Sequence, residues 1–466
     1  MRARIEAWAA ATLCFVGLAL VVQAYWQVIA APSLTALPWD THKRLRAKLA
    51  RPGRVITRDG VEILAPVRAE GGWAYRYGAP EAFAHLTGYD EQTGLRGKFF
   101  DVLSGEAGCG DWRAWLMEPV PPGCDVVLTV DGRAQEAAAE ALKGYRGCVL
   151  AVRVGDGAVL AAASAPTYNP LSMSTPEEVD VVATDPHEPL LFRPTQKLYA
   201  PGWAMAWVTA AATVETGGEV ARRRWQCDGA WQCGRMTVRC PVAHGRVSLP
   251  DALLRHCRVA MTQMSDALGP QAFRNFLKAL HLLDQASDMV LPSAAGRMPD
   301  LFDWRGRENL ADAVLGERFV RLTPLAVERF FLTMARGGEV VQPYLVAQVK
   351  SPSGHVLQVF QAKSLGRAVR QETAAEILEL MKAGGEIYKS AMVELGWSQD
   401  LGGTGAAAWW VPDPEKHGLG TAWVVGMAPA PQPQIVLTLV LEDVPDEKMA
   451  VELGMSLLNY LGRMAV

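Results

Sequence analysis

Strand-like and helix-like stretches segregate along the larger part of this chain, and that segregation limits its fold more than any other feature. Val126–Val130 reads as a strand. Two more strands, Cys148–Val154 and Ala158–Ala163, flank Gly155-Asp156-Gly157, a hairpin signal. Alanine-rich Gln135–Leu142, between Val130 and Cys148, reads as a helix. Helical periodicity then covers Trp203–Ala212, Leu249–Leu268, Pro270–Leu283 and Thr323–Arg336. The end returns to strands at Gly420–Met427 and Gln434–Glu442, followed by a helix over Asp446–Leu461. Strands first, helices in the middle and strands last predict one α+β domain whose sheet joins both ends of the segment. The chain shows no internal repeat or low-complexity tract.

Residues Ile5–Ala31 carry one charge, Glu6, with an apolar core from Ala7 to Val22. Arg2 and Arg4 precede it, and Trp8, Tyr25 and Trp26 suit the two membrane interfaces. Residues 1–31 are therefore expected to be a cytoplasmic tip and transmembrane anchor in the inner membrane, with the bulk of the chain periplasmic. A signal peptide cleaved near Val28-Ile29-Ala30 is the alternative. Residues 32–120 read as a linker and small domain, and Pro121-Pro122-Gly123 marks the start of a larger domain, 121–466. A net charge of -3 without a long basic run argues against nucleic-acid binding.

Of the eight cysteines, all except Cys14 fall on the oxidising side of that membrane. Cys227, Cys240, His244 and Cys257 form a Cys-x12-Cys-x3-His-x12-Cys array, and three sulfurs with one imidazole suit a tetrahedral zinc ion. Cys233 competes as a ligand, and a Cys227–Cys240 disulfide is the other reading. Cys109 and Cys124 flank a loop that a second disulfide could close.

Several runs resemble class B penicillin-binding proteins, the monofunctional D,D-transpeptidases of peptidoglycan synthesis. They are Arg51–Gly60, Gly71–Tyr77, His85–Tyr89, Leu128–Asp131 with Gln135, and Ala163–Pro170. Thr323-Pro324-Leu325 with Arg336-Gly337-Gly338, and Trp423–Pro429, continue the series, so the resemblance covers nearly the whole chain. It implies a serine-transpeptidase-like fold, a sheet sandwiched by helices plus an all-helical part, on a small N-terminal pedestal. The short pedestal is similar to that of the compact, elongation-type branch. Some members of that branch carry zinc where His244 and Cys257 stand.

Against that background the three catalytic motifs differ. Pro201-Gly202-Trp203-Ala204-Met205-Ala206 stands where the family has Pro-Gly-Ser-x-x-Lys, so Trp203 replaces the nucleophile and Ala206 the lysine base. An indole is a hydrogen-bond donor without a nucleophilic atom. No Ser-x-x-Lys occurs elsewhere in the chain. His256-Cys257-Arg258 stands at Ser-x-Asn, and Gly403-Thr404-Gly405 at Lys-Thr-Gly. Phe192 replaces an asparagine often found before the first motif. His256 next to Cys257 invites a thiol–base reading, but adjacent helical residues diverge, so a structural histidine is expected. Thr195 has no base at helical spacing. Trp203 is expected to pack into the old acyl pocket, and Trp409 and Trp410 to fill the cleft or form an exposed patch.

The resemblance thus implies a membrane-anchored pseudo-transpeptidase that needs no cofactor for catalysis. Its expected partner is a polytopic membrane glycosyltransferase of the shape, elongation, division and sporulation group. Two alternatives stand beside it. One is an active transpeptidase with a non-standard site. The other is a module that binds peptidoglycan stem peptides without cutting them, with Arg258 supplying the cation that Gly403 lacks.

Overall fold

The computed structural model describes residues 2–26, 49–106, 122–216, 218–286, 291–303, 305–394, 404–429 and 432–465. Its central sheet has five strands: β5 (Arg146–Arg153), β6 (Val159–Ala165), β15 (Gly405–Pro412), β16 (Gly420–Ala428) and β17 (Ile435–Val444). The order is β15-β16-β17-β5-β6, and every neighbouring pair is antiparallel. The sheet therefore joins both ends of the larger region, as the segregation of strand signals predicts.

Side chains alternate across a strand, so the two faces of this sheet feed two cores. Cys148, Leu150, Val152, Trp423, Val425, Val436 and Val440 belong to the larger core. That core includes helices α4 (Ala204–Thr216), α6 (Arg258–Leu268) and α9 (Pro324–Ala335). Val149, Ala151, Leu437, Leu439 and Leu441 face the other way and pack with α3 (Gly132–Ala141) and α11 (Lys448–Ala465). Coverage on both faces explains why β5, β6 and β17 read as nearly continuous apolar runs.

A second, six-stranded sheet contains β1 (Val55–Ile56), β2 (Glu62–Ala69), β3 (Gly72–Tyr77), β4 (Asp125–Leu128), β12 (Val346–Lys350) and β13 (Val356–Val359). Its order, β13-β12-β4-β1-β2-β3, combines segments from both sides of residue 121, with β1 and β4 parallel. Helix α2 (Pro80–Thr87) follows β3. Three two-stranded ribbons complete the strands: β7 (Trp225–Cys227) with β10 (Gly245–Val247), β8 (Ala230–Cys233) with β9 (Met236–Arg239), and β11 (Glu339–Gln342) with β14 (Lys363–Arg367).

The helix expected over Leu249–Leu268 is two helices, α5 (Leu249–Leu254) and α6, separated by Arg255-His256-Cys257. His256 takes a left-handed backbone, φ 52°, a conformation that residues with a side chain seldom adopt. Apolar periodicity runs through the break because both helices bury the same side against the same core, so the sequence gives no sign of it. Further long helices are α7 (Pro270–Ala279), α8 (Gly306–Leu315) and α10 (Gln371–Glu394), and several short helices of eight residues or fewer connect the rest.

At the N-terminus, α1 (Arg2–Ala24) exposes Trp8, Leu13, Phe15, Leu18, Leu20 and Val21. Among the described residues no helix is long and apolar enough to cross a membrane. The last part of the expected anchor, 27–31, lies outside the described residues.

Candidate functional site

Trp203 immediately precedes α4, at the mouth of a sharp turn. Gly202 adopts φ 52°, and a Cβ there would meet Val411 Cγ2 at 2.4 Å, so only glycine fits. The turn directs the Trp203 indole inward, where 7% of the residue remains exposed. Its Nε1–H donates to the Leu253 carbonyl at 3.0 Å. The His256 ring stacks on it with centroids 4.8 Å apart and planes 27° apart. Burial lowers the His256 pKa to about 4, so the imidazole is neutral at physiological pH. Ala206, one turn along α4, is fully buried. The positions expected for nucleophile and base are thus occupied by a packed aromatic pair and a methyl group.

The cation proposed to replace the missing lysine is already engaged. Arg258 makes two bonds of 2.6 Å to the Glu317 carboxylate, a bidentate pair. Thr195 is buried, and its hydroxyl donates to the Pro292 carbonyl at 2.6 Å. Trp409 is buried behind the turn and stacks on Trp423 with centroids 5.9 Å apart. Half-buried Trp410 donates to the Val444 carbonyl at 2.9 Å. The two tryptophans do not form an exposed patch.

The third motif reaches the described residues at Thr404, which is buried, and Gly405; Gly403 lies outside them. Thr404 leads into β15, the outer strand of its sheet, and Gly405 is its first residue. Alternate residues of an outer strand direct their backbone groups away from the neighbouring strand, leaving an edge that can accept another strand. Ala408 belongs to that set, and Tyr388 of α10 occupies both its groups. The Ala408 N–H donates to the Tyr388 hydroxyl at 3.2 Å, and that hydroxyl donates to the Ala408 carbonyl at 2.9 Å. Ala406 and Thr404 precede Ala408 by two and four positions. A Cβ on Gly384 would lie 2.4 Å from Ala406 O, and one on Gly385 2.0 Å from Thr404 O. The two glycines therefore let α10 press directly on the edge. Sequence reasoning missed this contact; Gly384-Gly385 inside a helical run was the available signal.

Behind His256 the same turn builds a second site. Sheet register sets Gly245 opposite Cys227, which brings His244 beside that thiol, with Cys227 Sγ and His244 Nδ1 3.6 Å apart. The β8–β9 hairpin returns the chain so that the Cys240 N–H donates to the Gly229 carbonyl. Cys257, on the turn between α5 and α6, then lies 3.9 Å from Cys240, sulfur to sulfur. All four donor atoms fall within 4.8 Å of one another. Tetrahedral zinc, with bonds of about 2.3 Å to sulfur and 2.0 Å to nitrogen, spaces its ligands roughly 3.5–3.8 Å apart. The donor set suits that ion, and the Cys227–His244 and Cys240–Cys257 distances come close to its spacing.

The thiols differ in how readily they ionise. Burial works to raise the Cys227 pKa, but hydrogen bonds from the backbone N–H groups of His244 and Gly229 prevail and bring it to about 7. Burial raises those of Cys240 and Cys257. Cys227 and Cys240 are free thiols, which corrects the disulfide reading for that pair. Cys233 stands apart: its thiol donates to the Arg307 carbonyl, and burial raises its pKa to about 11. Cys124 is disulfide-bonded, and its expected partner, Cys109, lies outside the described residues.

A model of the penicillin-binding protein transpeptidase domain matches residues 147–456. The chain belongs to the penicillin-binding protein transpeptidase family. Its relatives place it in class B. Peptidoglycan D,D-transpeptidase PbpA of Mycolicibacterium smegmatis is 27% identical over 501 residues, covering 100% of this chain and 98% of the relative. PbpA of Mycobacterium tuberculosis is 26% identical over 507 residues, with the same coverage. The fold agrees with solved structures. Penicillin-binding protein A from M. tuberculosis, as a ceftriaxone acyl-enzyme complex, superposes with a TM-score of 0.79 at 22% identity, covering 90% of this chain and 99% of that one. The D,D-transpeptidase domain of a peptidoglycan glycosyltransferase from Eggerthella lenta gives 0.77 at 23% identity, with 89% and 98% coverage.

Proposed function

We propose that this penicillin-binding protein acts in peptidoglycan synthesis as a non-catalytic, membrane-anchored partner of the synthesis machinery. Trp203 carries the reading. Acyl transfer needs an activated oxygen or sulfur nucleophile, and the side chain at that position is a buried indole committed to the Leu253 carbonyl and the His256 ring. The rest of the old cleft supports the same conclusion. Ala206 cannot carry a proton, Arg258 is neutralised by Glu317, and α10 covers the edge of β15. An extended peptide that binds by adding a strand needs such an edge bare. The same contacts weigh against a stem-peptide module, and among the described residues no side chain favours an alternative transpeptidase site.

Cys227, Cys240, His244 and Cys257 would hold a zinc ion with four protein ligands and no open position, the arrangement of a structural site. Bound there, zinc would supply folding energy and fix the turn that carries His256.

A protein working through contacts needs a place for them. The apolar surface of α1 supports an anchor, and the resemblance points to a membrane glycosyltransferase as the neighbour. Ala9, Ala10, Gly17 and Ala19 offer the small side chains through which membrane helices pack. Replacing residues 1–31 with an unrelated membrane helix is expected to abolish co-purification with that glycosyltransferase, and charge reversal at Arg258 to leave it intact. The opposite pattern contradicts the proposal.

A further inference from the structure

A second cavity, remote from Trp203, lies on the six-stranded sheet. Trp73, Tyr75 and Tyr77 are alternate residues of β3, an edge strand, and successive rings of that kind repeat about every 6.6 Å along one face. All three line a cavity of about 540 Å³. That volume is within the roughly 300–1,000 Å³ of small-ligand sites. Tyr89, Asp90, Glu91, Gln92 and Arg96 also line the cavity.

The aromatic floor is held in place. Arg96 donates to the Tyr77 hydroxyl at 2.6 Å and to the Tyr89 carbonyl at 3.0 Å, and its guanidinium lies 5.2 Å from the Tyr75 ring centre. The Tyr75 hydroxyl donates to the Gly53 carbonyl at 3.0 Å, and that of Tyr77 to the Gly88 carbonyl at 3.2 Å. Arg68 lies 5.4 Å from the Trp73 ring centre and is not part of the cavity wall. Rings already fixed lose little entropy when a ligand stacks on them.

The side chains of Glu91 and Gln92 make no hydrogen bond among the described residues, although both line the cavity. A carboxylate only accepts hydrogen bonds, so Glu91 and neighbouring Asp90 call for a ligand rich in donors. Arg96 also lines the cavity, but it donates to the Tyr77 hydroxyl and the Tyr89 carbonyl, which leaves the two carboxylates to face a ligand. A proline-rich peptide also docks in aromatic grooves, but it offers carbonyl acceptors and no proline N–H. A sugar chain offers both hydroxyl donors and apolar ring faces that stack on aromatic rings.

We infer that this groove binds an uncharged chain of pyranose sugars, stacked along Trp73 and held by hydrogen bonds to Glu91 and Gln92. The site is independent of the transpeptidase cleft. Titration calorimetry of the full chain in detergent with a β-1,4-linked N-acetylglucosamine tetrasaccharide tests it. Saturable binding is expected, about tenfold weaker for Trp73→Ala and severalfold weaker for Glu91→Gln, with unchanged melting temperature. A proline-rich peptide should neither bind nor compete. Absence of saturable binding, equal binding by both variants, or competition by the peptide overturns the inference. Because β-lactam reactivity at the cleft has no bearing on these outcomes, failure here leaves the non-catalytic reading standing.

Discussion

His256 and Cys257 are neighbours in one turn, yet they face two different sites. His256 faces the old cleft, where Trp203, Ala206 and Arg258 fill space or pair with other residues. Cys257 faces a cluster whose four donor atoms all keep the chemistry and spacing of a metal site. On the proposed non-catalytic reading, the packing of the cleft is local and stops at the turn. Here one face retains a full ligand set while the other is packed shut, which fits a fold preserved for stability and contact.

The sharpest way to break this comparison is to remove what the cluster is expected to hold. The purified chain should carry close to one zinc ion. Chelation, or Cys257→Ser, should lower the melting temperature by about 10 °C or more, because structural metal binding adds directly to folding energy. A metal-free protein with the same melting temperature would place both faces of the turn in one class.

Trp203→Ala comes next. Deleting a buried tryptophan side chain costs about 3–5 kcal/mol, readable as a shift in denaturant midpoint. Catalysis should not appear in its place. Even Trp203→Ser combined with Ala206→Lys should leave turnover of a D-Ala-D-Ala peptide undetectable, since the second and third motifs remain changed and catalytic groups act as a unit. A loss below about 1 kcal/mol would show the indole to be a loose plug. Turnover by the double variant would show the cleft to be nearly intact.

Tyr388→Phe is the smallest perturbation. It removes the hydroxyl that pairs with both backbone groups of Ala408 and should cost about 1 kcal/mol. Amide exchange at Ala408 should accelerate relative to Ala407, whose groups face β16. Equal exchange at the two positions would mean that α10 does not seal the strand edge.

Much of this architecture was legible in the sequence because it rests on periodicity. The hairpin at Gly155-Asp156-Gly157 and the terminal strands follow from alternating or continuous apolar runs, and they combine into the predicted sheet. The metal cluster was visible as residue types and spacing, but spacing alone left a Cys227–Cys240 disulfide open. The register of β7 on β10 and the return of the β8–β9 hairpin resolve it, and neither short ribbon has a periodic signature. The break at His256 was hidden for a related reason: a left-handed residue other than glycine leaves no compositional mark. The residue types at Trp203, Ala206 and His256-Cys257-Arg258 could be read directly. Tertiary contacts decide the rest, since nothing local to Arg258 names Glu317 and nothing near Ala408 names Tyr388.

The central claim is that the transpeptidase site cannot form a covalent acyl intermediate. Intact-protein mass spectrometry of the full chain after incubation with penicillin G or a carbapenem tests it most directly. The account predicts an unchanged mass, because the position of the nucleophile holds the buried Trp203 indole. A stoichiometric mass gain of one opened β-lactam, mapped to any residue of the cleft, would contradict it.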